Sequence, residues 1–243
     1  GTPTPKSVRG ILNGTSNYVL KLIERAESPE TALNKARSRG LAESDCTRDL
    51  NGNDAAAKLS IIAWMSFGVQ PSQVIPSQIG IRALTPRLVE AARVLDGRVR
   101  LVAECIVTGK GKVSAFVEPV VFPQHHAFAR TEYEDNRVEV DLGWSSPLSV
   151  SGPGAGGEPT ATAILGDLLN HSLRSNRRVT TSSVFECVPD YRPHRWLVAT
   201  GDGWEVLTAT RQEIATRIGK SDERGEAVAI ARLELPLASP EVS

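Results

Sequence analysis

The amino-acid sequence predicts an α+β fold, with helices packed on a mixed or antiparallel β-sheet and a small C-terminal α/β appendix. Apolar residues recur at helical spacing through most of residues 13–96, whereas runs typical of strands dominate residues 99–151. Helices that precede the strands, instead of alternating with them, favour an α+β domain over a doubly wound one. We therefore expect one domain over residues 1–175 and the appendix over residues 176–243.

Four helices are predicted before residue 97, and capping residues mark the ends of several of them. Ser28 is an N-cap followed by Pro29 at the first helical position, and Gly40 is a typical helix stop. Thr85-Pro86 begins another helix in the same way. The helices are expected over residues 13–25, 29–39, 51–67 and 86–96.

The predicted strands come next and are separated by turn residues. Gly109-Lys110-Gly111 joins one hairpin, and a turn at residues 134–136 joins a second strand pair. These strands lie at residues 99–107, 113–121, 127–133, 138–142 and 148–151. A glycine-rich loop then leads into a helix over residues 160–173. In the tail we expect a strand, a helix and a strand at residues 196–199, 206–218 and 227–235.

The composition argues against several classes of protein. The 28 basic residues are balanced by 28 acidic ones, so the chain lacks the basic excess typical of proteins that bind nucleic acid or anionic membranes. Its longest apolar runs are about half of the roughly 20 residues that span a bilayer, and its first residues lack the apolar run of a signal peptide. We expect a soluble, cytoplasmic protein with a small-molecule ligand and no nucleic-acid or membrane partner.

Cysteine and histidine usage predicts neither disulfides nor a metal site. Cys46, Cys105 and Cys187 are odd in number and far apart in the sequence, which favours a reducing compartment. None of the four histidines combines with a cysteine at the spacing of a zinc site.

The densest polar chemistry lies between Gly40 and Lys58. Asp54 and Lys58 are four residues apart on a predicted helix and so share a face. The simplest interpretation is a surface ion pair worth about 0.3–0.5 kcal/mol. Two features favour a functional role for Lys58 over a plain surface ion pair. Only seven basic residues are lysines, and Lys58 is followed by a largely apolar stretch that predicts a partly buried helix. A lysine with a carboxylate one turn away can give a proton to a developing alkoxide.

This segment resembles the signature of the catalytic domain of homoserine dehydrogenases. The matching residues are Ala36, Gly40, Leu41, Ala42, Asp45, Asp49, Leu50, Gly52, Asp54 and Lys58. Cys46 departs from the pattern, because the family has a proline there. Three further stretches are similar to conserved family segments, and they cover residues 10–18, 117–120 and 152–163. The resemblance extends over about residues 6–173 and leaves out the tail.

The resemblance implies NAD(P)H-dependent interconversion of L-aspartate 4-semialdehyde and L-homoserine, on the route to threonine, methionine and isoleucine. Lys58 would give the proton to the aldehyde oxygen, and Asp54 would orient Lys58. The substrate-binding residues carried over from the family are Glu43, Asp49, Gly14 and Thr15. A lysine ammonium fits this chemistry independently, because it both supplies a proton and stabilises negative oxygen.

The resemblance also implies a cofactor, NADP or NAD, since no side chain supplies a hydride. The loop residues Gly154, Gly156 and Gly157 would border the nicotinamide side of the cleft. Gly152, Gly154 and Gly157 also match the G-x-G-x-x-G pattern of a dinucleotide site, but the surroundings lack a βαβ unit. A plain strand-to-helix turn is the remaining interpretation. In the family a separate domain binds most of the dinucleotide, and we expect this chain, which lacks it, to be weakly active or inactive alone.

Two questions stay open at the level of the sequence. The family implies a homodimer or homotetramer formed through the sheets, for which the strands of residues 99–142 are candidates. The chain could instead be a non-catalytic oligomerisation or amino-acid-binding regulatory module that retains the fold. The tail is interpreted as a structural appendix, with a degenerate regulatory domain as the alternative.

Overall fold

A computed structural model of the chain describes residues 4–173 and 185–235. These residues form one mixed sheet with helices packed against it, which confirms the predicted α+β class. The strands are β1 Ser7–Ile11, β2 Ser77–Gln78, β3 Gly97–Gly109, β4 Lys112–Pro123, β5 Asp135–Asp141, β6 Leu148–Pro153, β7 Glu186–Cys187, β8 His194–Ala199, β9 Trp204–Ala209 and β10 Ala229–Leu233. The helices are α1 Gly14–Glu24, α2 Pro29–Ser38, α3 Thr47–Leu50, α4 Asn53–Phe67, α5 Pro86–Val94, α6 Gly157–Leu173 and α7 Arg211–Glu223.

The sheet has the strand order β6-β5-β1-β3-β4-β10-β8-β9. Neighbours along this path are antiparallel except β4 and β10, which run parallel. The short strands β2 and β7 also pair with β4 in parallel, so three separate segments cover one side of that strand.

The core lies between the helices and one face of the sheet. Alternate residues of β3, from Val99 to Cys105, are buried in a cluster with apolar residues of the helices such as Leu20, Leu59 and Leu88. Side chains alternate between the faces of a sheet, so the residues between them point to the opposite face. Arg100 and Glu104 lie there and are both buried.

Several predicted helix ends are confirmed by their hydrogen bonds. The side chain of Ser28 accepts from the backbone of Thr31 at the start of α2, and Thr85 caps α5 in the same way. The predicted helix of residues 51–67 begins two residues later than expected, after a separate short turn, α3. The break falls at Gly52, which has a left-handed φ of 81°.

The strand predicted over residues 127–133 is wrong, and β5 pairs instead with β1 and β6. Side chains satisfy the carbonyls of this segment in place of a strand partner. Arg100 donates to the carbonyls of Ala129 and Thr131, and Asn17 donates to that of Tyr133. Strand β1, which pairs with β3 and β5, is not predicted by the sequence pattern.

The strands after residue 185 continue the same sheet. The helix predicted over residues 206–218 is wrong in its first part, where β9 pairs with β8. A capping box between Thr210 and Glu213 then begins α7. The predicted boundary between residues 175 and 176 lies outside the described residues, so the division into two domains stays a prediction.

The suggestion that strands of residues 99–142 are free for association does not fit β3 and β4. Both strands lie inside the sheet and are mostly buried, and the strands at its two edges are β6 and β9. Among the described helices, none is long and apolar enough to cross a membrane.

Candidate active site

The predicted lysine and carboxylate meet at the end of β1. Lys58 Nζ donates to Asp54 Oδ2 at 2.8 Å and to the backbone carbonyl of Leu12 at 3.0 Å. Leu12 directly follows β1, and both charged residues lie on the first turns of α4. The sheet and the helix therefore fix the ammonium from two directions.

Asn13 links two carboxylates at the same place. Its Nδ2 donates to Asp49 Oδ1 and to Asp54 Oδ2, both at 2.8 Å. Its Oδ1 accepts the backbone N–H of Ser16 and so caps α1. Asn13 is not among the predicted site residues, although it directly precedes Gly14 in a segment similar to the family.

The electrostatics of Asp54 favour its charged form. Burial raises the pKa of this carboxyl, but the hydrogen bonds from Lys58 and Asn13 outweigh that effect and hold the pKa below its ordinary value. The charges of Lys58 and Arg48 act in the same direction. Asp54 is thus a carboxylate at neutral pH and a stable partner for the ammonium.

The partly buried helix expected for Lys58 is confirmed, because α4 has one buried side and one exposed side. Lys58 itself lies on the exposed side. Its side chain is 47% exposed and that of Asp54 is 32% exposed. The apolar residues Ile61, Trp64 and Met65, which follow on α4, are exposed as well. Lys58 and Ile61 are spaced to share one side of the helix, so the ammonium lies at the edge of an open apolar surface.

The left-handed Gly52 sets the geometry between the two carboxylates. A Cβ on this glycine would lie 2.9 Å from Cγ1 of Val117, closer than real Cβ atoms come to a neighbour. Glycine is therefore required both by the backbone angle and by the packing of α4 on β4. The turn lets Asp49, near the end of α3, and Asp54, in the first turn of α4, accept from the same amide of Asn13.

The other predicted substrate residues surround this cluster with different contacts. Glu43 is exposed in the loop after α2, and no described side chain forms an ion pair with it. Thr15 Oγ1 donates to the carbonyl of Leu41 at 2.6 Å, which ties that loop to α1. A Cβ on Gly14 would lie 2.9 Å from the carbonyl oxygen of Glu134. The structure thus brings Asp49, Asp54 and Lys58 together through Asn13, and Glu43 remains outside this hydrogen-bonded group.

The topology brings the glycine loop to the same end of the sheet. Arg137 on β5 is paired with Ile11 of β1 on one side and with Ser151 of β6 on the other. Neighbouring strands are about 4.8 Å apart, so the end of β6 lies roughly 10 Å from the end of β1. β6 lies at the edge of the sheet and its neighbour β5 is antiparallel to it, so no described parallel strand pairs with β6 as in a dinucleotide-binding βαβ unit.

The three predicted cofactor-side glycines have different environments. A Cβ on Gly154 would lie 2.1 Å from Nδ2 of Asn136, so a larger residue here would require the Asn136 side chain to move. Gly156 has a φ of 119°, which L side chains rarely adopt. Gly157 begins α6 and faces open space. Oδ1 of Asn136 is buried and has no hydrogen-bond partner among the described residues.

The cluster around Lys58 lies in a region of the chain that matches a known family. The family model of homoserine dehydrogenase matches residues 4–169 of this chain. The chain belongs to the homoserine dehydrogenase family. The family resemblance found in the sequence is therefore confirmed, and it covers both the cluster around Lys58 and the glycine loop.

Curated homoserine dehydrogenases are similar over the same region. The enzyme of Mycobacterium leprae is 37% identical over 167 residues, which are 67% of this chain and 38% of that protein. The enzyme of Bacillus subtilis is 33% identical over 183 residues, or 75% of this chain and 42% of that protein. The chain thus spans less than half the length of these relatives, all of which are named as dehydrogenases, so the non-catalytic alternative is not favoured.

Solved structures extend the likeness in fold to the tail. A homoserine dehydrogenase from Thiobacillus denitrificans has a TM-score of 0.79 at 22% identity and covers 96% of this chain and 64% of its own. A hyperthermophilic archaeal homoserine dehydrogenase in complex with NADPH has a TM-score of 0.59 at 25% identity. It covers 72% of this chain and 50% of its own. The similarity to the Thiobacillus denitrificans structure concerns the fold alone, and it includes the strands that follow residue 185.

Proposed function

We propose that this chain carries the substrate-binding and proton-transfer groups for the NAD(P)-dependent interconversion of L-aspartate 4-semialdehyde and L-homoserine. The observation that carries the proposal is the half-exposed Lys58, held by Asp54 and by the Leu12 carbonyl. This reaction would place the chain in amino-acid biosynthesis, on the route to threonine, methionine and isoleucine.

The proposed proton donor has the hydrogen it needs. A lysine ammonium has three N–H groups, and two of those on Lys58 are engaged by Asp54 and Leu12. The third can point to the oxygen of the aldehyde. As that oxygen gains negative charge during reduction, Lys58 stabilises it and transfers the proton; in the reverse direction it removes the hydroxyl proton.

The carboxylates are proposed to hold the amino-acid end of the substrate. One oxygen of Asp49 accepts from Asn13, and the other makes no hydrogen bond with the described side chains. It is therefore able to accept from the substrate ammonium. Gly14 and Thr15 are proposed to lie against the substrate, and Glu43 to complete the ammonium site from the loop that Thr15 holds in place.

The glycine loop has features that fit one edge of a nicotinamide site. The open space at Gly157 leaves room for a ring beside the loop. NADP or NAD, when bound, supplies the hydride. Gly154, Gly156 and Gly157 would line this edge, with the remainder of the dinucleotide held elsewhere in the enzyme.

We also propose a homodimer or homotetramer. The support is a group of exposed apolar side chains on the edge strand β6 and the helix α6, namely Leu148, Val150, Ile164, Leu165 and Leu168. Exposed apolar groups of this kind are typical of interaction surfaces.

The test of catalysis compares two lysines of similar exposure. The chain is assayed for NADPH-dependent reduction of L-aspartate 4-semialdehyde, alone and with the dinucleotide-binding domain of a relative added. Lys58→Ala should abolish turnover, whereas Lys35→Ala, which removes an exposed lysine paired with Glu27, should leave it unchanged. No activity in any form of the wild type, or equal activity in both variants, would contradict the proposal.

Calorimetry separates the regulatory alternative. The catalytic proposal expects the chain to bind L-homoserine and expects Asp49→Asn to weaken that binding. Binding of threonine without binding of homoserine would favour a regulatory module instead.

A further inference from the structure

Among the described residues, Asn13 is the only one whose side chain donates hydrogen bonds to both Asp49 and Asp54. Its two amide hydrogens go to two different acceptors, Asp49 Oδ1 and Asp54 Oδ2, at 2.8 Å each. The two carboxylate oxygens are therefore no further apart than twice that distance. Like charges at such a separation repel each other, so an element that holds them together is needed.

The lysine neutralises only one of the two carboxylates. Lys58 forms an ion pair with Asp54, whereas Asp49 forms none with the described side chains. Asn13 is therefore what keeps Asp49 directed toward this cluster. A neutral donor suits this position, because it leaves the charge of Asp49 available to a cationic group.

The orientation of the Asn13 amide is fixed by its other end. Oδ1 accepts the backbone N–H of Ser16, which leaves the Nδ2 hydrogens to face the carboxylates. The residue is buried, and its backbone lies between the end of β1 and the start of α1. Its side chain thus links the helix to the site and cannot rotate without breaking three hydrogen bonds.

We propose that Asn13 is a positioning residue, whose amide holds Asp49 ready for the substrate ammonium while it holds Asp54 against Lys58. This inference rests on the proposed function for the roles of the two carboxylates. The amide itself does not need to contact the substrate.

The test uses Asn13→Ser, which keeps the helix cap and removes the bridge. Serine caps helices about as well as asparagine, but its hydroxyl has one hydrogen and a shorter reach. Homoserine affinity, measured by calorimetry, should fall at least about tenfold, the loss expected for a hydrogen bond to a charged group. In a carboxyl-carbon NMR titration, the pKa of Asp54 should rise, because this carboxylate loses one of its two side-chain donors.

The control is Ser28→Ala, which removes the cap of α2. It should lower the melting temperature and leave both homoserine affinity and the Asp54 titration as in the wild type. Should Asn13→Ser fail to fold, the second variant is Asn13→Asp. It retains the shape of the side chain and the helix cap, but an acceptor oxygen replaces the donor amide group. Homoserine affinity should again fall and the pKa of Asp54 should again rise.

The result that overturns the inference is a folded Asn13 variant with wild-type homoserine affinity and an unchanged Asp54 titration. A failure of the proposed function gives a different result. In that case neither the wild type nor the Asn13 variant binds homoserine. The Asp54 titration still shows whether Asn13 positions the carboxylate.

Discussion

Arg211 on α7 and Glu118 on β4 form a bidentate ion pair, with Nε and Nη2 of the arginine at 2.9 Å and 2.8 Å from the two carboxylate oxygens. Both side chains are almost fully buried. The guanidinium also lies 3.6 Å from the ring centre of Phe116, a cation–π arrangement. Arg232 on β10 binds the same glutamate. Two elements of the tail, α7 and β10, are therefore attached to β4 through one carboxylate.

Removal of that charge should strongly destabilise the fold. Glu118→Gln removes the counter-charge that Arg211 and Arg232 share, although each arginine keeps another carboxylate partner. The cost should therefore lie near the lower end of the range of about 3–5 kcal/mol for breaking a buried pair. Urea denaturation should show this loss in the free energy of unfolding. Glu205→Gln breaks an exposed pair with Arg217 and should change it by less than about 1 kcal/mol. Equal effects of the two substitutions would contradict the claim that the buried ion pairs of Glu118 stabilise the fold.

Gly52→Ala should destabilise the chain more than Gly111→Ala does. Both glycines have a positive φ, which costs an L-residue about 1–2 kcal/mol. Only at Gly52 would the new methyl group also contact Val117 too closely, since no atom lies within 4 Å at Gly111. The difference between the two unfolding free energies measures this packing contribution. If Gly52→Ala has the smaller effect, the packing of α4 on β4 is not as described.

The contribution of Asp54 to stability should depend on pH. Its pKa in the folded protein is lower than the ordinary value of 3.8, so its stabilising effect is present above about pH 4 and is lost as the pH falls through the folded value. The wild type should therefore exceed Asp54→Asn in stability at about pH 6 by more than at about pH 3. Urea midpoints at the two pH values measure this difference. A constant difference would mean that the carboxylate has no depressed pKa.

Cys105 should resist thiol reagents in the folded protein. Burial in the core raises the pKa of its thiol to about 12, with smaller contributions from Cys187 and Glu104. The reactive thiolate is therefore scarce at about pH 8, and the reagent has no access. Ellman's reagent should label Cys105 only on unfolding, as judged by mass spectrometry of tryptic peptides. Rapid labelling of the native chain would show that β3 opens.

The features predicted correctly from the sequence are those set by local rules. Ser28 and Thr85 cap helices because a short polar side chain reaches the backbone three residues on. Asp54 and Lys58 meet because four residues make one turn of a helix. Each of these contacts depends on a few consecutive residues, so the sequence pattern alone contains it.

The features missed depend on distant partners. Strand β1 is short and includes Arg9, which suggests a loop; in the fold, Glu139 and Glu234 bind this arginine, from 130 and 225 residues away. The bridge made by Asn13 likewise joins it to residues more than 35 positions later. A local signal did mark the boundary between β9 and α7. Thr210 and Glu213 have the spacing of a capping box, which shows that the helix begins only after residue 210.

The acceptor that Leu12 offers to Lys58 belongs to the main chain and not to a side chain. No amino-acid substitution at position 12 can delete that oxygen, so the lysine keeps this anchor as long as β1 keeps its register with β3 and β5. Changes that shift the register of this strand or fray it can therefore displace the Lys58 ammonium without altering any side chain that contacts it. Under the proposed function, variants of residues 7–11 should therefore lose activity although every residue of the charged cluster is unchanged.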